Sequence, residues 1–98
     1  MRLVSQDGTI DVPYDICAIC LGEHGSKHII YICSKLFDDK FCAFADYSTK
    51  EKALKAMEML REEYDYVRTF ETICNGGSNY PNLPSYIFQF PKDEEIEV

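Results

Sequence analysis

The chain has no tryptophan, only two histidines, and ten Lys and Arg against 17 Asp and Glu. No apolar run approaches the roughly 20 residues that a bilayer span requires, so a membrane-spanning helix is not expected. The few basic residues form no stripe, which disfavours grip on a phosphate backbone. Histidine-based catalysis has little to work with, because His24 and His28 both flank one turn. No serine stands in a nucleophile-elbow pattern. Asn75-Gly76-Gly77-Ser78 precedes no helix, so it is not a phosphate-cradling loop. The N-terminus carries one Arg followed by no apolar stretch, so a signal peptide is not expected and a cytoplasmic location is.

What is present suits one small α+β domain spanning residues 1–98, in which 46% of residues are apolar. A body of this size is marginally stable alone, and oligomerisation would help it. The net charge of −7 is uneven: residues 1–45 carry −2 and residues 46–98 carry −5. Such an exterior favours solubility and can meet a basic protein surface. The five cysteines are an odd number, four of them inside apolar runs, and are expected as reduced, buried thiols.

The opening segment predicts a hairpin, residues 3–5 against 9–12, turning at Gln6-Asp7-Gly8. Glycine after aspartate takes positive φ at no steric cost. Residues 16–21, 28–33 and 40–45 are apolar runs joined by turns at 22–26 and 35–39, which predicts an antiparallel meander. Both faces of it are apolar, so cover is expected from the helix on one side and from another chain on the other. Ser48-Thr49-Lys50-Glu51 has the form of a capping box. After it Ala53, Met57, Leu60, Tyr64 and Val67 recur at helical spacing, broadened by Leu54, Ala56 and Phe70. Residues 64–73 either continue this helix or form a strand. Residues 75–84 predict a turn-rich loop, residues 85–90 a last strand ended by Pro91, and residues 93–98 a frayed acidic tail. The expected architecture is an antiparallel sheet of about five strands, one long helix across one face, and a C-terminal strand.

Cys17, Cys20, His24 and His28 are the one metal-like cluster, with ligand types that suit zinc. Their geometry speaks against it. Strand residues three apart point to opposite faces, so Cys17 and Cys20 cannot share an ion without a kink. Asp38-Asp39 is expected to be a turn, and Glu58, Glu62, Glu63 and Asp65 a solvated helix face. Tyr31, Phe41, Phe44, Tyr86, Phe88 and Phe90 fall on predicted strands and could stack bases, but only Lys27, Lys35 and Lys40 lie near them. Tyr80 and Tyr86 are better placed for protein contacts.

Three stretches resemble a known group. They are Ser5-Gln6-Asp7-Gly8 with Val12-Pro13-Tyr14, Asp46-Tyr47-Ser48-Thr49-Lys50-Glu51-Lys52-Ala53 running into Met57-Glu58-Met59-Leu60-Arg61, and Phe88-Gln89-Phe90-Pro91 before the acidic end. With these the chain resembles small proteins of phages and prophages of Gram-positive bacteria. The resemblance implies a strand-rich first half, one helix, a bacterial or phage origin and a cytoplasmic setting. It brings no catalytic residue with it.

The expected function is therefore non-enzymatic. It is that of a phage or prophage accessory protein that binds a host or phage protein and blocks a host or defence factor. No catalytic, cofactor or metal residues are assigned. The alternative is a small nucleic-acid or nucleotide-binding module that uses the sheet aromatics. A zinc-stabilised domain is the third reading. A homodimer through a sheet edge or helix flank is compatible with each of them.

Overall fold

The computed structural model describes residues 1–38, 40–74 and 87–97. Its described residues form an α+β domain of one helix and two three-stranded sheets. The first sheet holds β1 (Arg2–Val4) between β2 (Asp11–Pro13) and β6 (Ile87–Gln89). The second is the meander β3 (Cys17–His24), β4 (Lys27–Ser34) and β5 (Phe41–Tyr47). Helix α1 runs over Lys50–Cys74 and packs on β4 and β5.

The predicted hairpin forms, but its strands lie further from the turn than the expected 3–5 and 9–12, leaving Ser5, Thr9 and Ile10 in the connection. Leu3 lies opposite Val12, and Gly8 takes a φ of +78° in the turn. A single sheet does not form. Pro13 offers no amide to extend the ladder, and the chain leaves β2 through a 3-10 turn, Tyr14–Ile16, before entering β3. The first sheet is completed from the far end of the chain instead, where β6 lies parallel to β1 with Leu3 opposite Phe88. Of the predicted last strand, residues 85 and 86 lie outside the described residues, as does the predicted loop at 75–84.

In the meander the turn is shorter than its sequence suggests. Only Gly25 and Ser26 separate β3 from β4, Gly25 at a φ of +65°. Gly22 belongs to β3, where the Tyr31 ring lies so close that a Cβ would sit 2.9 Å from its Cε2. Between β4 and β5 the register slips by one residue. Ile30 faces Ala45 and Tyr31 faces Ala43, leaving Phe44 as a bulge. The bulge turns two successive residues, Phe44 and Ala45, into the core.

Helix α1 buries Ala53, Ala56, Leu60 and Val67, with Met57 and Tyr64 half-buried beside them. Alanine at 53 and 56 lets the backbone approach the sheet closely. Leu54 is 46% exposed and so lies off the stripe. The helix continues unbroken to Cys74 and does not give way to a strand; the Phe70 side chain lies outside the described residues. The predicted capping box of Ser48 and Glu51 gives way to a single side-chain cap from Thr49. Thr49 Oγ1 accepts from the Lys52 amide at 3.2 Å, while Ser48 gives both its amide and hydroxyl to Asp93 Oδ1, at 2.8 and 3.0 Å.

That diversion also overturns the expectation of a frayed tail. Tyr47 donates its phenol to the Pro91 carbonyl at 2.7 Å, and Lys52 Nζ donates to the Asp93 carbonyl at 3.0 Å. Ile96 is buried in the same core cluster as Phe90, Leu60 and Leu3. The segment after β6 is thus a strap across the start of the helix, held by apolar burial at both ends. No described helix is long and apolar enough to cross a membrane.

Candidate functional site

Strand alternation sorts the second sheet into two faces. Ile19, Leu21, Ile30, Ile32 and Phe44 point toward the core side, where α1 packs. The opposite, outer face carries Ala18 and Cys20 from β3, then Ile29, Tyr31 and Cys33 from β4, then Phe41 and Ala43 from β5. Cross-strand register brings them together: Ala18 faces Cys33, Cys20 faces Tyr31, Cys33 faces Phe41 and Tyr31 faces Ala43. Ala18, Cys20, Phe41 and Ala43 are exposed, Phe41 by 63%. No described element covers this face.

The β5 margin of the face is acidic. A groove of about 270 Å³ runs along Ile29, Ala43, Asp46, Gln6 and Asp7. A second notch of about 270 Å³ continues from Asp7 and Asp46 to Asp93 and Glu94, with Lys92 beside them. Asp7 is built for its charge. Its Oδ1 accepts from the Thr9 hydroxyl at 2.6 Å, the Ser5 hydroxyl at 2.7 Å and the Thr9 amide at 3.0 Å. These bonds, the Thr9 hydroxyl first, hold its pKa at about 2 against an ordinary 3.8. The Ser48 amide does the same for Asp93, which is held below the usual carboxylate range. Both stay ionised through the neutral range and well into acid. Asp46 forms an exposed pair with Lys27 at 3.5 Å.

Gln6 joins the two sheets at this margin. Its amide donates to the Phe44 carbonyl at 2.8 Å, and its side chain both donates to the Asp46 carbonyl at 3.0 Å and accepts from the Asp46 amide at 3.1 Å. The same Nε2 donates to the Pro91 carbonyl at 3.1 Å. The carboxamide therefore satisfies β5 as a neighbouring strand would.

The metal-like cluster is spread apart. Cys17 is half-buried on the core side, its thiol donating to the Pro13 carbonyl at 3.1 Å, whereas Cys20 is exposed on the outer face. His24 is exposed at the end of β3, and His28 Nδ1 lies 3.6 Å from Glu23 Oε1, beyond hydrogen-bond reach. Among the described residues no three His, Cys, Asp or Glu stand close enough to hold a metal ion.

The sheet aromatics divide in the same way. Among the described residues only Tyr31 and Phe41 lie on the outer face. Phe44 and Phe88 pack edge-on against Phe90, at 6.3 and 5.4 Å between ring centroids. Tyr80, Tyr86 and Asp39 lie outside the described residues. On the helix Glu58, Glu62 and Asp65 are exposed and Glu63 is half-buried. A separate recess of about 190 Å³ lies between the 3-10 turn, β3 and the helix, lined by Tyr14, Cys17, Ile19, Met57, Leu60 and Arg61. The Tyr14 ring that lines it lies 4.5 Å from the Tyr64 ring between centroids. Burial raises the pKa of the Cys17 thiol, so it is a poor nucleophile there.

Gln6, Asp7 and Asp93 were not singled out by the sequence as functional residues. Asp7 had a signal, since Ser5-x-Asp7-x-Thr9 places two hydroxyls around one carboxylate. Gln6 and Asp93 act across chain separations that leave no local pattern. No family model, curated protein or solved structure matches this chain.

Proposed function

We propose that the chain is a non-catalytic protein-interaction module that meets its partner with the outer face of the second sheet. The observation that carries this reading is the row of neutral, apolar side chains from Ala18 to Ala43 with no described element over it. The ionised margin of Asp7, Asp46, Asp93 and Glu94 states the chemistry of the partner: an apolar protuberance ringed by Lys or Arg. The resemblance to phage and prophage proteins favours a bacterial host or defence factor, blocked by occupation of its basic surface. Nucleic acid is the weaker reading. Among the described residues only two aromatics stand on the open face, and Lys27 is already paired with Asp46.

The test is capture from a lysate of a Gram-positive host on immobilised protein, wild type beside Phe41→Asp. Phe41 is exposed, so the variant keeps its fold, checked by circular dichroism and melting temperature. The expected result is a basic protein retained by the wild type, released by salt, and bound at least about tenfold less by the variant. Equal retention by both, or retention of nucleic acid alone, would contradict the proposal.

A further inference from the structure

Each open sheet edge offers unpaired amides and carbonyls to a further strand, and natural edges are guarded against this. In this molecule the guards are unevenly placed. The free edge of β5 is closed by the Phe44 bulge and by Gln6, which engages the Phe44 carbonyl and both backbone groups of Asp46. β2 is three residues long and ends in Pro13; β6 is three residues long, with Pro91 shortly after it. β3 differs on every count. It runs from Cys17 to His24 without proline or lysine, carries no bulge against β4, and has β4 as its only strand partner among the described residues.

From this edge we infer that the protein forms a homodimer by antiparallel pairing of β3 with β3 of a second copy, about a two-fold axis at Cys20. Antiparallel self-pairing keeps each side chain on its own face, so the outer faces of the two sheets become one continuous surface. The register follows from charge. Centred on Cys20, the pairing sets Ala18 against Gly22, Ile19 against Leu21 and Cys17 against Glu23 of the second copy, and no charge meets a like charge. Centred on Ile19, the pairing would be confined to Cys17–Leu21 and leave Glu23 facing the 3-10 turn that carries Asp15. Centred on Leu21, it would set the Glu23 carboxylate against the apolar Ile19 side chain, whereas at Cys20 the same carboxylate meets the thiol of Cys17 at the first residue of the strand. The partner here is a second copy and not a foreign strand, because the edge is self-complementary in this register along its length.

The test is native mass by sedimentation and light scattering, with reductant present so that mass reports strand pairing and not a disulfide. The wild type is expected to rise to twice its 11.3 kDa as concentration increases toward roughly 1 mM. Cys20 is exposed, so Cys20→Lys and Cys20→Glu keep the monomer fold while setting like charges against each other at the axis. Each alone is expected to weaken the dimer at least about tenfold, and an equal mixture of the two is expected to restore it. A wild type that stays monomeric throughout, single variants that dimerise undiminished, or a mixture that stays monomeric would each overturn the inference. Circular dichroism of both variants separates loss of pairing from loss of fold.

Discussion

Replacing Phe90 with Ala is expected to lower stability by about 3–5 kcal/mol. Phe90 is 1% exposed and packs edge-on against Phe44 of the second sheet and Phe88 of the first. Its ring touches aromatic side chains of both sheets at the start of the C-terminal strap. Truncation removes the buried ring and leaves a void that the β-sheet backbones on either side cannot close. It also frees the strap, since the Phe90 amide donates to the Val4 carbonyl and Pro91 and Asp93 bind Tyr47 and Ser48 just beyond. Urea denaturation measures the first effect. Amide exchange measures the second, with protection of Ser48 expected to fall further than that of the β3–β4 pair. A loss under about 0.5 kcal/mol, the range of surface substitutions, would show that Phe90 does not join the layers.

Leu60→Ala is expected to cost about 2–5 kcal/mol. Leu60 is 1% exposed and lies on the core side of α1. Its neighbours along the stripe, Ala53 and Ala56, are too small to fill the space it leaves. The recess beside it, lined also by Met57 and Ile19, already holds about 190 Å³, so the new void merges with an existing one and does not heal. Denaturant midpoint should fall with no change in slope. The same substitution at Leu54, six residues earlier and 46% exposed, should stay within about 0.5 kcal/mol. Equal losses at the two positions would mean that the helix presents another face to the sheet.

Much of this was legible in the residues. The hairpin, the meander and the helix follow from Asp7-Gly8, from three β-branched and aromatic runs, and from the spacing of Ala53, Met57, Leu60, Tyr64 and Val67. Those signals are local, and local chemistry decided them. The split into two sheets was not legible, because it depends on β6 pairing with β1 across almost the whole chain. Nor was the strap. A run of Asp and Glu looks solvated until Asp93 is seen to accept from Ser48, which takes Ser48 away from the helix cap. Leu54 joined the expected stripe only because an apolar residue next to Ala53 fits a broad face as well as a narrow one. The candidate site was half visible. Alternation in residues 17–24, 27–34 and 41–47 shows that both faces are apolar, but which face the helix takes depends on tertiary packing. The acidic margin required the hairpin, β5 and the strap to converge around Gln6.

Alkylation of Cys20 against Cys17 in the native protein, followed by peptide mass analysis, tests the assignment of the two faces. With α1 over the core side, Cys20 on the open face should react nearly as fast as in the unfolded chain. Cys17, half-buried, bonded to the Pro13 carbonyl and raised in pKa, should react many-fold more slowly. Equal rates, or a protected Cys20 in the monomer, would mean that the outer face is not open to a partner.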